Sequence, residues 1–156
     1  MKNLIEWTHR LLSGVDRWLQ PLLALAFRLW LAKIFFAAGL TKIQTWSSTL
    51  DLFAYEYAVP VLPPEFAAFM ATGGELILPV LLVLGLGTRF AGAGIFILNA
   101  VAAISYPDIS PAGINDHFFW GSMAAVLVVY GPGWLSLDQW LCRKLIMRDK
   151  ADSLRS

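Results

Sequence analysis

The stretch FAAFMATGGELILPVLLVLGL, residues 66–86, contains a single ionisable side chain, Glu75. A helix needs about 20 residues to cross the roughly 30 Å hydrocarbon core of a bilayer. Leucine, alanine and phenylalanine follow one another here without the polar alternation that marks a barrel strand. The stretch therefore predicts a membrane-spanning helix that carries a carboxylate near its middle.

Three further stretches predict spans of similar length, at residues 22–40, 90–106 and 118–135. Of the 156 residues, 58% are hydrophobic, compared with roughly 45–50% in soluble domains. We therefore predict an all-α integral membrane protein, with a four-helix bundle formed by residues 22–136. The lipid bilayer is its expected surrounding, and a net charge of +1 gives no reason to expect nucleic acid as a partner.

The two ends of the chain predict amphipathic interfacial helices. In residues 1–21 apolar side chains recur at helical spacing, and Pro21 is expected to mark the entry to the first span. Residues 137–156 form a basic tail in which Trp140, Leu141 and Leu145 alternate with Arg143 and Lys144. We expect both segments to lie on one membrane surface.

The basic residues predict the orientation. If both termini are cytoplasmic, the two outer loops contain Lys42 among bases but several acids. The cytoplasmic parts then hold Lys2, Arg10, Arg17, Arg89, Arg143, Lys144, Arg148, Lys150 and Arg155. The positive-inside rule therefore favours cytoplasmic N- and C-termini.

Arg28, Lys42 and Glu75 are the charges most costly to place in a membrane. An ionisable group is retained there only where it is paired or faces a polar cavity, so these three residues are the best candidates for a site. Arg28 and Lys42 are fourteen residues apart, a rotation about 40° short of a whole number of helical turns, so they share a helix face. We expect the Arg28 guanidinium to reach Glu75. Pro79 lacks the N–H that would bond the Glu75 carbonyl, which adds a polar group there. The cluster is either a ligand site or a structural ion pair.

Three other polar residues have open interpretations. Asn99 forms either a helix–helix hydrogen bond or a ligand contact. Asp116 is expected to cap the fourth helix, and His117 is either a relay or ligand group or merely interfacial. Lys33 lies about 140° around the helix from Arg28, so it snorkels, faces another protein or contacts Asn99.

Residues 41–65 predict a cover over one end of the bundle. A short helix is expected to begin at Ser47 or Ser48 and to break at Pro60, Pro63 and Pro64. Tyr55 and Tyr57 are among the aromatic residues that suit a membrane interface, so the loop is expected to fold back over the helices.

No metal site or intrinsic cofactor is expected. Cys142 is the single cysteine, and His9 and His117 are the two histidines. The predicted topology places the histidines on opposite sides of the membrane, too far apart to ligate one haem.

Several short stretches carry a resemblance to a known family. Residues 39–42, GLTK, end the first span, which begins with Arg28, and LVLGLGTRFAG at 82–92 follows Glu75. The fourth span ends with YGPGWLSLD at 130–138. In this order and spacing, over about residues 22–140, they resemble the DoxX family of small bacterial membrane proteins.

The resemblance implies a four-helix bundle in the bacterial inner membrane and an association with redox metabolism, since some relatives are named as quinol oxidase subunits. Our first hypothesis is an accessory subunit, not catalytic alone, that binds quinone or a similar lipophile with Arg28, Lys42 and Glu75 at its polar end. A redox-enzyme subunit or further copies of the chain are the expected partners. A small oligomeric transporter or proton-coupled permease, or a structural anchor or assembly factor, are the alternatives. The expected ligand-binding residues are Arg28, Lys42, Glu75, Asn99 and His117.

Overall fold

A computed structural model describes the backbone of residues 2–153 and the side chains of residues 18–147. Within these ranges the chain is all helical, with no strand, which confirms the predicted class. The helices are α1 (Lys2–Gln44), α2 (Trp46–Tyr55), α3 (Pro64–Leu84), α4 (Thr88–Ser105), α5 (Pro111–Tyr130) and α6 (Leu137–Ser153).

In the part of the chain that the structure describes, three helices are long and apolar enough to cross a membrane: α1 from Trp18 onward, α3 and α4. They correspond to the first three predicted spans, and each presents many apolar side chains on the outside of the molecule. In the described residues this is the pattern of helices whose outer faces contact lipid instead of water.

The four long helices pack around one apolar core. Helix α1 packs against α3 and α5, and α4 packs against α3 and α5. Fully buried side chains from each helix meet in the centre, namely Leu31, Leu82, Ile95 and Leu127. We call the end that carries α2 the loop end, and the end that carries the α3–α4 turn the turn end.

The turn end is held by glycine conformation and by one aspartate. Gly85 and Gly87 have φ angles of 67° and 57°, which a side chain would disfavour, so α3 stops and α4 starts within three residues. Asp138 accepts hydrogen bonds from the amides of Gly87 at 2.8 Å and Thr88 at 3.0 Å. It thereby caps α4 from a distant part of the chain.

Helix α5 begins earlier than the sequence pattern predicts. Ser110 caps it by accepting a hydrogen bond from the Gly113 amide at 3.1 Å, and Pro111 occupies its first turn. The prediction that Asp116 caps this helix is therefore wrong, because Asp116 lies inside the helix. A serine followed by a proline is the stronger start signal. The helix ends at Tyr130, where Gly131 has a φ of 78°.

The predicted boundary at Pro21 is also not a helix boundary. Helix α1 continues through Pro21, which is buried against Gly133: a Cβ on that glycine would lie 2.7 Å from the Pro21 Cα. The side chains of residues 1–17 and 148–156 lie outside the described part, and with them His9, most of the first predicted amphipathic surface and the last part of the second. The interfacial placement of the two ends stays a prediction.

The loop end is covered as predicted. Helix α2 begins at Trp46, slightly before Ser47, and buries Phe53 against Ala67 and Ala68 of α3. The amide of Ala58 donates to the Ser105 carbonyl at 2.8 Å, which ties the loop to the last residue of α4. The segment after α2 therefore closes over the packed helices.

Candidate functional site

Lys42 and Glu75 form a close ion pair near the loop end. The Lys42 Nζ lies 2.6 Å from Oε2 and 2.7 Å from Oε1 of Glu75. Gly39, one turn before Lys42, lets the two helices approach: a Cβ there would be 3.1 Å from the Glu75 Cβ and 2.9 Å from Leu76. The pair is possible because a glycine on α1 faces the carboxylate on α3.

A cavity of about 350 Å³ lies beside this pair. This volume is within the roughly 300–1,000 Å³ of small-molecule sites. Its walls are mainly apolar, and polar groups reach it from Lys42, Glu75, Ser105 and His117. Phe53 of α2 and the loop residues Tyr57, Val59 and Leu62 line the cavity at the loop end. Residues of α3 and α4 line its sides.

Exposed apolar side chains of α3 and α4 form part of the cavity wall. Two of its lining side chains, Met70 of α3 and Ile97 of α4, are 57% and 61% exposed. Both helices are apolar enough to cross a membrane. This side of the cavity therefore lies at an apolar outer face of the molecule.

Asn99 holds His117 at the cavity wall. The Asn99 Nδ2 donates to the His117 carbonyl at 2.8 Å, and the Asn99 Oδ1 lies 2.8 Å from the His117 Nδ1. Gly121 makes room for the amide, since a Cβ there would lie 3.1 Å from Nδ2. The predicted helix–helix hydrogen bond of Asn99 is confirmed, and it orients a histidine that lines the cavity.

Arg28 is not part of this site. It is 1% exposed and lies towards the turn end, where Nε donates to the Leu82 carbonyl at 2.6 Å and Nη2 to the Val83 carbonyl at 2.9 Å. Nη1 donates to the carbonyls of Leu135 at 2.7 Å and Pro132 at 3.4 Å. The predicted contact between Arg28 and Glu75 is wrong.

The error comes from the axial offset of two antiparallel helices. Glu75 is level with Lys42, near the end of α1, so the carboxylate lies well away from Arg28 along α1. The guanidinium instead meets the carbonyls of Leu82 and Val83 in the last turn of α3, where the helix dipole favours a cation. The residue pattern of a membrane-spanning helix indicates which side chains share a face, but it does not indicate the axial position of that helix relative to its neighbour.

Lys33 lies on the outside of the molecule. Its side chain is exposed, and Asn99 is engaged with His117 on another helix pair. The interpretation that Lys33 contacts Asn99 is therefore wrong. Snorkelling or contact with another protein stay open.

The sequence did not indicate two residues of the cavity wall, Ser105 and Tyr57, as candidate ligand-binding residues. Ser105 is 3% exposed, and its Oγ has no hydrogen-bond partner among the described residues. Burial raises the pKa of the Tyr57 phenol, and nearby Tyr106, Glu56 and Glu75 raise it further, so Tyr57 stays a neutral donor. A serine at the end of an apolar helix gives no signal of its own in a sequence.

The family is settled by comparison with known proteins. The DoxX family profile matches residues 23–107, more than half of the chain. The chain belongs to the DoxX family. It is 33% identical over 122 residues to an uncharacterized protein of Haemophilus influenzae, across 73% of this chain and 80% of that protein. No solved structure matches the chain.

Two stretches that resemble the family meet at the turn end. Residues 82–92 provide the carbonyls of Leu82 and Val83, and residues 130–138 provide those of Pro132 and Leu135. Arg28 joins all four. In this DoxX-family chain these stretches therefore stabilise the turn end, whereas the cavity lies at the loop end.

Proposed function

We propose that this DoxX-family protein is a four-span protein of the bacterial inner membrane that binds a lipophilic small molecule in the loop-end cavity. In this proposal α5 is the fourth span of a four-helix bundle. Its 20 residues and its packing against α1 and α4 support this assignment. The basic residues favour cytoplasmic termini, and an even number of spans is consistent with that orientation.

The cavity is the observation that carries the proposal. It combines mainly apolar walls, one side at an apolar outer face, and a few polar groups, which is the usual composition of a small-molecule site. Lys42, Glu75 and His117 would face the polar head of the ligand, with Asn99 positioning His117. Arg28 has no part in this site.

A quinone is the ligand class we propose, in an accessory subunit of a redox or oxidative-stress system. Its ring and tail suit the apolar walls, and its carbonyl oxygens suit donors such as Lys42 Nζ and Ser105 Oγ. A bound quinone would supply two-electron redox chemistry, while a redox-enzyme partner would supply catalysis. Membership of the DoxX family supports the membrane class.

The test uses two matched lysine variants of α1. The protein is purified in mild detergent, and bound lipids and quinones are extracted and quantified by mass spectrometry. Lys42→Met should lower quinone occupancy by about tenfold, since it removes a charged donor at the cavity. Lys33→Met, the same change at an exposed site outside the cavity, should leave occupancy unchanged. Equal occupancy in Lys42→Met and the parent protein would contradict the site, and phospholipid alone would contradict the ligand.

A structural anchor or assembly factor is the second candidate, and Arg28 favours it. Four hydrogen bonds from one guanidinium tie α1 to the end of α3 and to residues 132–135. A rigid helical support of this kind needs no ligand. In that case Lys42→Met would leave partner assembly intact, and the exposed face around Lys33 would be the surface to examine for a partner subunit or a second copy.

A further inference from the structure

The polar lining of the cavity carries no net charge when His117 is neutral. Among the lining residues Lys42 and Glu75 bear opposite charges, and the Lys42 Nζ contacts both oxygens of Glu75. An anionic head would have to compete with Glu75 for the same ammonium group. The cavity therefore suits a neutral molecule.

Ser105 has an unpaired hydroxyl beside the cavity. Its side chain is 3% exposed and lines the cavity, and its Oγ has no hydrogen-bond partner among the described residues. An unpaired buried hydroxyl is unfavourable, and a polar atom of a ligand would offset that cost. The adjacent carbonyl is already occupied by the Ala58 amide, so the hydroxyl is the group left to bind.

His117 offers the complementary group, an acceptor. The Asn99 amide is oriented by its donation to the His117 carbonyl, so its Oδ1 faces the Nδ1 of the ring. An amide oxygen can accept but not donate, so Nδ1 carries the proton. In the neutral ring Nε2 then bears a lone pair, and no described residue donates to it. A ligand that donates a hydrogen bond would satisfy it.

We propose that the ligand is a neutral lipophile with a hydroxyl head, which donates to Nε2 of His117 and accepts from Oγ of Ser105. A hydroxyl can donate and accept, whereas a ketone or ether oxygen can only accept. This inference rests on the proposed function and deepens it. Within the quinone class this site would prefer the reduced, quinol form. If the quinol binds about tenfold more tightly than the quinone, the two-electron reduction potential of the bound quinone rises by roughly 30 mV.

The test compares molecules that differ by one group. The full chain in nanodiscs is titrated with para-decylphenol, its methyl ether and decanoate, and binding is measured by isothermal titration calorimetry. The phenol should bind about tenfold more tightly than the ether, the value of one hydrogen bond. Equal affinity of phenol and ether, or tighter binding of decanoate, overturns the inference and leaves the proposed cavity standing. Binding of none of the three overturns both.

Variants assign the preference to residues. His117→Phe should abolish the difference between phenol and ether, and Ser105→Ala should weaken both. Ser122→Ala is the matched control, because Ser122 is exposed on α5 and bonds its own helix at the Phe118 carbonyl. A phenol preference that survives in His117→Phe contradicts the assignment to Nε2. The ligand comparison in the parent protein stands even where a variant fails to fold.

Discussion

Arg28 Nε donates to the carbonyl oxygen of Leu82 at 2.6 Å, so a cation of α1 closes the end of α3. The geometry uses the planar fork of the guanidinium, whose three nitrogens all donate to backbone carbonyls. A lysine would keep the charge but not this fork. We expect Arg28→Lys to lower the free energy of unfolding by about 2–4 kcal/mol, measured by denaturation in detergent micelles.

Arg89→Lys is the control for that change, because Arg89 is an exposed arginine near the same end. Its effect should stay within about 0.5 kcal/mol. Equal losses in the two variants would contradict the role assigned to Arg28. Ligand occupancy per folded molecule should be unchanged in both, since neither residue lines the cavity.

Gly39 and Gly73 make opposite predictions for the same substitution. A Cβ at Gly39 would meet Leu76 at 2.9 Å and the Glu75 Cβ at 3.1 Å, while one at Gly73 would meet nothing within 4 Å. Gly39→Ala should destabilise the protein by about 1–3 kcal/mol and disturb the ion pair. Gly73→Ala should be neutral or stabilising by up to about 1 kcal/mol. Thermal unfolding in detergent checks both, and a neutral Gly39→Ala would contradict the close approach of α1 and α3.

The Lys42–Glu75 pair can be tested with a double-mutant cycle. Lys42→Met or Glu75→Leu alone leaves one charge unpaired and should cost about 2–3 kcal/mol of unfolding free energy. The double variant should recover most of that loss. If the pair also binds ligand, the double variant will be stable but will have lost ligand. Recovery of both stability and ligand would instead show that the pair is structural.

Tyr57 predicts a dependence of stability on pH. Burial and nearby acids raise the pKa of its phenol, so the folded protein favours the neutral form. The stability linked to this group is intact below the ordinary tyrosine pKa of about 10 and declines as the pH rises through the higher folded value. The free energy of unfolding, measured between about pH 9 and 12, should fall as the pH rises, and Tyr57→Phe should lessen the fall. An identical decline in Tyr57→Phe and the parent protein would contradict the assignment of this pH dependence to Tyr57.

Lys33 predicts a gain of stability on removal of its charge. It is exposed on the outer face of α1, within a helix apolar enough to cross a membrane. A charge near the middle of a bilayer costs about 2.5–3.5 kcal/mol on insertion scales. Lys33→Leu should therefore raise the unfolding free energy of the isolated chain in nanodiscs. No gain would indicate that the ammonium reaches the interface by snorkelling.

The sequence was sufficient for the helical class and for three membrane helices, because long apolar runs have few alternatives. It also selected Glu75, Lys42 and His117, which the structure brings to one cavity. It misplaced Arg28, because helical periodicity reports a face and not the axial offset between neighbouring helices. It missed Ser105, because neither its place in the cavity wall nor its unpaired hydroxyl is visible before the chain folds.

The exposed cavity wall at Met70 and Ile97 indicates where a ligand would come from. Because these side chains lie on an apolar outer face, a molecule entering between them partitions first into the lipid and only then into the protein. Occupancy then follows the mole fraction of the molecule in the membrane, not its concentration in water. Poor aqueous solubility becomes an advantage, and affinities for this protein are best expressed per lipid.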